Sequence, residues 1–179
     1  MIRIETPRLV LRRWSDEDVH PFARINADPE VMRWIGDGSV RDEEQARRLV
    51  EQVEGLWEAE GYGLFAVELR ETGEFAGFAG LAVPHFLPEV LPAVEIGWRL
   101  ARPLWGRGLA TEAARAALRY AFTDGGLERI VSICQIGNTA SERIMVRLGM
   151  RPDRDTVRPG TDRPTRVYAM TRAQYQAQH

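Results

Sequence analysis

One junction constrains the fold of this chain more than any other. Residues 93–100 alternate, with Val94, Ile96, Trp98 and Leu100 on one side and Ala93, Glu95, Gly97 and Arg99 on the other, the period-two pattern of a strand. Trp105-Gly106-Arg107-Gly108-Leu109-Ala110 comes next, and residues 111–122 are so rich in Ala and Leu that they read as a largely buried helix. A strand that passes through a Gly-rich turn into a helix leaves backbone N–H groups unpaired at the positive end of a helix dipole. That makes an anion site suited to phosphate. Gly106 and Gly108 permit close backbone approach, and Arg107 adds a charged donor. By spacing alone the same glycines serve equally well as a tight connection with no ligand.

The flanking segments set this junction in an α/β chain. Ala46, Leu49, Val50, Val53, Leu56 and Trp57 fall on one face of an amphipathic helix, which Gly61-Tyr62-Gly63 breaks. Residues 64–69 and 75–83 then read as a hairpin around Glu71-Thr72-Gly73-Glu74. Residues 130–136 read as a strand, 139–148 as a short helix stopped by Gly149, and 166–170 as a final strand. At the front, residues 9–12 read as a strand and 16–35 as one or two helices interrupted at Asp28-Pro29. The order predicts a three-layer α/β fold with a mixed sheet, in a single domain spanning residues 1–179.

Composition removes several chemistries. All 24 basic residues are Arg, so a Walker A loop, a pyridoxal-phosphate enzyme and a Schiff-base aldolase, each of which needs a Lys, are excluded. The lone Cys134 can form no internal disulfide or multi-Cys zinc site, and His20, His85 and His179 form no ligand pair, so no metal is expected. A formal charge of -2 without charge blocks gives no footprint for nucleic acid. No segment is long and apolar enough for a membrane span, and the N-terminus has no signal-peptide core; a cytoplasmic protein is expected. A dinucleotide fold fits poorly, because Thr111 stands where its third Gly or Ala belongs.

Glu95-Ile96-Gly97-Trp98 through Trp105-Gly106-Arg107-Gly108-Leu109-Ala110-Thr111-Glu112-Ala113 closely resembles motif A of the GNAT superfamily of acetyl-CoA-dependent N-acetyltransferases. Thr6-Pro7-Arg8-Leu9-Val10-Leu11-Arg12 and Asn138-Thr139-Ala140-Ser141 through Leu148-Gly149-Met150 resemble the branch with the RimJ/RimL ribosomal-protein alanine acetyltransferases. The resemblance implies a mostly antiparallel mixed sheet with a splay between its central strands, flanked by helices. It implies acetyl-CoA as cosubstrate, with the pantetheine arm paired to Trp98, Arg99 and Leu100. The pyrophosphate then lies on the main-chain amides of Trp105, Gly106, Arg107, Gly108, Leu109 and Ala110, and Asn138 contacts the pantetheine. Trp105 departs from the Gln or Arg that often opens this turn.

The expected reaction is attack of a neutral amine on the thioester carbonyl, which needs a base, oxyanion donors and a proton for the leaving thiolate. Glu95, the only carboxylate on its strand, is the candidate base; otherwise it is a surface carboxylate or an ion-pair partner. Many relatives supply the last proton from a Tyr at the position of Met145, which has none to give. Ser141 is the candidate substitute, at once cofactor-binding and catalytic by this resemblance. Asn138 and Thr139 are alternative caps of the same helix, with Thr139 and Glu142 spaced as a capping box. His85, Phe86, Trp34 and Tyr168 are candidates to line the amine pocket, and residues 26–40 and 84–92 to form its loops. The acceptor expected is a protein N-terminal α-amine, with a small amine as the alternative. A non-catalytic CoA-binding module is the lesser alternative, and a monomer or a homodimer fits equally.

Overall fold

The computed structural model describes residues 2–179. β1 (Arg3–Glu5) and β2 (Leu9–Arg12) lead into a 3-10 turn at Asp16–Asp18, α1 (Val19–Asn26), α2 (Pro29–Met32) and α3 (Glu43–Glu60). Then follow β3 (Leu64–Leu69), β4 (Phe75–Ala82), β5 (Val94–Leu100), α4 (Leu109–Phe122), β6 (Arg129–Gln135), α5 (Thr139–Arg147), β7 (Arg151–Arg158), β8 (Arg163–Thr171) and α6 (Arg172–Gln176). The break expected at Asp28-Pro29 separates α1 from α2, where Pro29 opens the helix and the Asp28 side chain accepts from the Glu30 N–H. Asp42 and Gln45 form a capping box that starts α3, and left-handed Gly61 ends it.

One eight-stranded sheet carries all the strands in the order β1-β2-β3-β4-β5-β6-β8-β7. Every neighbouring pair is antiparallel except β5 and β6. The parallel step comes from the β5–α4–β6 crossover, so both strands end at the same edge of the sheet. Side-chain alternation separates the two faces. Phe78 of β4 meets Phe22 of α1 at a centroid distance of 5.8 Å. Phe65, one residue from the Ala66 that pairs with Phe78, meets Tyr120 of α4 at 5.4 Å.

The main core joins both faces around β2–β5, with Leu9, Leu11, Phe65, Leu81 and Ile96 fully buried. A second cluster of Leu87, Val90, Val131 and Val167 tucks the segment before β5 under the sheet. Among the described residues no helix is long and apolar enough to cross a membrane.

Three elements were not foreseen from sequence: β1, β7 and α6. The first and last strands of the sheet are β1 and β7, and β7 (Arg-Pro-Asp-Arg-Asp-Thr-Val-Arg) is exposed and polar with a register shift at Pro152, as suits an edge strand.

Candidate active site

The site is built where β5 leaves β6. Pairing between them is confined to Val94↔Ile130 and Glu95↔Val131, while β5 stays paired with β4 as far as Leu100↔Gly77. Main-chain groups of β5 beyond Glu95 that face β6 therefore have no strand partner in the middle of a sheet, where backbone polar groups are normally satisfied. Ser132 bridges the first step of the gap, its Oγ donating to Ile96 O at 2.9 Å. Sequence reasoning did not single out Ser132; its signal was one hydroxyl inside the apolar run Ile130-Val131-Ser132-Ile133-Cys134.

Glu95, Gly97 and Arg99 share the face of the sheet that carries Phe78 and α1. Gly97 keeps this face open: a Cβ built on it meets nothing within 4 Å. Glu95 is recessed but still reaches solvent. Burial pushes its pKa up to about 8 from an ordinary value near 4.5, and the charge of Arg158 and a hydrogen bond from the Ile133 N–H oppose the rise. A carboxyl so tuned suits proton transfer near neutral pH.

Both expected loops wall this face, although in the first, expected at residues 26–40, Asn26 ends α1 and Pro29–Met32 form α2, so the loop proper begins at residue 33. Residues 33–42 are pinned across the sheet by Gln135 Nε2, which donates to Gly36 O at 2.9 Å, and by Arg163, which donates to Asp37 O at 2.6 Å. Trp34 lies against Gly137, where an added Cβ would stand 3.2 Å from its ring. From residues 84–92, Phe86 lies under the Arg158 guanidinium at 4.4 Å, while His85 is exposed. Tyr168 departs from expectation. It is paired with Ser132, so it points to the opposite face, where its hydroxyl donates to Glu142 of α5 at 3.0 Å. Strand alternation thus removes it from the face that carries Glu95.

The turn after β5 fits an anion. Gly106 and Gly108 take left-handed φ values of 72° and 76°, and the N-cap position of α4 has no side-chain cap. Among the described residues, the N–H groups of Gly106, Arg107, Gly108, Leu109, Ala110 and Thr111 find no acceptor. Glu112, the acid in the first helical turn, is neutralised from the other side. Its Oε1 accepts from Thr6 Oγ1 and the Arg8 N–H, and its Oε2 from Arg8 Nε at 2.7 Å. Arg8 also donates to Arg107 O at 2.8 Å, fastening the turn to the start of β2. Trp105 is 47% exposed, and its indole N–H donates to Leu100 O at 2.9 Å. Trp98 and Leu100 direct their side chains to the α4 face, leaving only main chain for a ligand alongside. The Arg107 side chain is exposed.

Asn138 and Ser141 stand just past the end of β6, at the sheet edge where the β5 turn also lies. This is where ligands of parallel α/β units gather. Asn138, not Thr139, caps α5: its Oδ1 accepts from the Ser141 N–H at 3.3 Å, and its Nδ2 donates to Ser141 Oγ at 3.2 Å. The Ser141 hydroxyl accepts that bond and keeps its own hydrogen to give. The Thr139–Glu142 box does not form because Glu142 turns to stronger, charged partners, accepting from Arg166 at 2.7 Å as well as from Tyr168. Met145 is buried in the core. Cys134 is buried too, with its thiol pushed up to about 11 by burial, as an inert core thiol should be. A broad open concavity lined by Arg115, Arg119, Arg147 and His179 takes in the Arg8–Glu112 pair and includes no residue of β5. Among the described residues no cluster of three or more His, Cys, Asp or Glu side chains is placed to hold a metal ion.

Known proteins share this architecture. The uncharacterized protein YkkB of Bacillus subtilis (strain 168) is 34% identical over 167 residues, covering 93% of this chain and 94% of its own. The FsC-acetyl coenzyme A-N(2)-transacetylase of Aspergillus fumigatus is 30% identical over 183 residues, covering 96% of this chain and 77% of its own. A crystal structure of a GNAT-family acetyltransferase from Bacillus anthracis superposes with a TM-score of 0.80 at 28% identity, covering 96% and 99% of the two chains. RimL, the ribosomal L7/L12 α-N-protein acetyltransferase solved with coenzyme A, superposes with a TM-score of 0.77 over 95% and 98%; at 18% identity that likeness is one of fold. The family description "Acetyltransferase (GNAT) domain" matches residues 8–151, which take in the latch at Arg8, the splayed strand, the amide-lined turn and α5, and the chain belongs to the GNAT acetyltransferase family.

Proposed function

We propose that this acetyltransferase passes acetyl directly from acetyl-CoA to a primary amine, with Glu95 as general base and Ser141 as donor to the leaving sulfur. The carrying observation is the broken β5–β6 ladder, which leaves a main-chain edge beside Glu95 and ends at a turn of free amides. The unpaired amides of Gly106 through Ala110 fit a pyrophosphate, and the β5 edge from Trp98 to Leu100, unpaired by β6 though Leu100 O accepts from the Trp105 indole, fits an amide-bearing arm. Acetyl-CoA, when bound, supplies the thioester carbonyl.

Glu95 in its carboxylate form takes the proton that the amine loses as its nitrogen bonds to the carbonyl carbon. Main-chain N–H groups at the splay stabilise the charge gathering on the carbonyl oxygen. As the C–S bond breaks, Ser141 presents its hydroxyl hydrogen to the sulfur; Asn138 Nδ2, donating to Ser141 Oγ, aims it. The thiolate leaves hydrogen-bonded to the Ser141 hydroxyl, which keeps its hydrogen. Glu95 releases the amine's proton to water and the thiolate takes one up from water, so amide and free thiol are the products and both side chains are restored. Phosphate binding draws on backbone amides, so Trp105 in place of a Gln or Arg leaves it intact.

The acceptor follows the RimJ/RimL resemblance as a protein N-terminal α-amine. One observation favours a small-molecule amine instead: the 30% identity, over 96% of this chain, with a relative named as an N(2)-transacetylase. The setting is cytoplasmic, in a single domain, as monomer or homodimer. Thiol release from acetyl-CoA across N-terminal peptides, amino acids, polyamines and aminoglycosides tests the reading. Amine-dependent release is expected for at least one class. CoA binding with no release across the panel would show a non-catalytic CoA-binding module.

A further inference from the structure

The open face beside Glu95 holds a cation with no acid of its own. Arg99 lies over Phe78 at 5.1 Å and near Phe22 at 5.8 Å, and donates from Nη1 to Asn26 Oδ1 at 2.8 Å. Two buried donors there, Arg99 Nε and Asn26 Nδ2, have no acceptor. Among the described residues Arg99 makes no salt bridge, and its Nη2 edge is neither bonded nor sealed. Arg41 is close enough to repel both Arg99 and Arg158, and Arg158 in turn faces Glu95, with Asp37 the one other acid in reach. Burying a charge without a counter-charge is costly, and natural folds keep such arrangements where a ligand completes them.

Gly97 separates Glu95 from Arg99 and leaves the space between them clear. Four residues of strand set their Cα atoms about 13 Å apart. Glu95 and Arg99 flank that open patch on the same face of the sheet, so a molecule seated over Gly97 lies between them.

We propose that the acceptor is a primary amine bearing a carboxylate in the same molecule, its carboxylate held on the Nη2 edge of Arg99, where Arg41 adds a second positive charge, and its amine presented to Glu95. This rests on the direct-transfer reading above. The guanidinium groups of Arg99 and Arg41 repel polyamines and aminoglycosides, which carry several positive charges and no carboxylate.

The test compares matched acceptors that differ only at the anion: glycine, β-alanine and γ-aminobutyrate against their carboxamides, peptides with an N-terminal Ser-Asp against Ser-Asn, and spermidine. Rates are compared at equal concentrations of neutral amine. The carboxylate member of a pair is expected to lead in kcat/KM by about tenfold or more, a usual margin for a charge-assisted contact. The free amino acids and the Ser-Asp peptide separate a small acceptor from a protein N-terminus. In Arg99→Gln the ratio within each pair falls toward one, and because the ratio is internal, a general loss of activity cancels. Asn26→Asp, nearly isosteric, gives Arg99 an internal counter-ion and lowers the same ratio without truncating the cation.

Calorimetry with the N-acetylated acids and amides on the CoA complex keeps the two readings apart. Tighter binding of the acids without turnover retains the subsite and removes catalysis. Turnover with equal acid and amide rates, or spermidine as the leading acceptor, retains catalysis and overturns the subsite.

Discussion

Ser132 Oγ donates to Ile96 O at 2.9 Å across two strands that have stopped pairing one residue earlier. A side chain here replaces a rung of the ladder, so the strands can part without leaving that buried carbonyl bare. Ser132 is 1% exposed and Ile96 0%, so no water takes the place of the hydroxyl. Ser132→Ala is therefore expected to cost about 1–2 kcal/mol. In a chain of this size that lowers the melting temperature by roughly 2–8 °C. Ser132→Thr, which keeps the hydroxyl, should lie much closer to the wild type. Equal melting of Ala and wild-type proteins would mean that the bridge contributes nothing.

The raised pKa of Glu95 gives two opposite pH dependences. As a base it works only once deprotonated, so turnover should climb with pH and level off above about 8, and Glu95→Gln should remove that limb and slow turnover at least tenfold. Stability runs the other way. A folded pKa above the unfolded value near 4.5 favours the fold fully below 4.5, and the benefit is lost as pH rises through about 8. Glu95→Gln should thus flatten the fall in melting temperature between pH 5 and about 8. A variant with the wild-type pH profile in both measurements would remove Glu95 from the mechanism.

Arg8 and Glu112 hold the turn after β5, the proposed pyrophosphate site, from behind. Arg8→Ala frees Arg107 O and leaves Glu112 as an unpaired acid in the first turn of α4, where its charge repels a pyrophosphate. The expected result is a several-fold rise in KM for acetyl-CoA with a smaller change in kcat. Arg8→Ala/Glu112→Gln, which also removes the acid, should recover part of the loss. No change in KM with either variant would make the latch a surface ion pair of little consequence.

On the proposed role of its hydroxyl at the leaving sulfur, Ser141→Ala should lower kcat more than it raises the dissociation constant for CoA. The effect should shrink with acyl thioesters of more acidic thiols, whose anions need no proton. An unchanged ratio across leaving groups would leave Ser141 as a binding contact only.

Much of this candidate site is legible in the sequence. The alternation of residues 93–100 put Glu95 and Arg99 on one face, and the two glycines of the turn marked the amide cradle, because both signals are local: a period of two and residues that tolerate left-handed φ. Tyr168 was misplaced because its face depends on the register of β8 against β6, a pairing 36 residues apart in sequence. Ser132 was missed for a related reason. Its role exists only where two strands diverge, and divergence leaves no mark on either strand alone. The edge strand β7 escaped because a solvated, charged strand carries no hydrophobic period to read.

Gly97 supplies the sharpest separation of fold from function. In the middle of a strand Gly is normally a weak choice, and a β-branched residue there should stabilise by a few tenths to about 1 kcal/mol. The backbone raises no objection, since Gly97 is not among the glycines with positive φ, and its Cβ direction is empty to 4 Å. What fills that direction is the space between Glu95 and Arg99. Gly97→Val is therefore expected to melt at or above the wild-type temperature and to bind CoA with unchanged affinity. Its KM for the amine should rise at least tenfold, because isopropyl occupies the position proposed for the acceptor. Wild-type acceptor kinetics in Gly97→Val would show that the amine approaches from elsewhere.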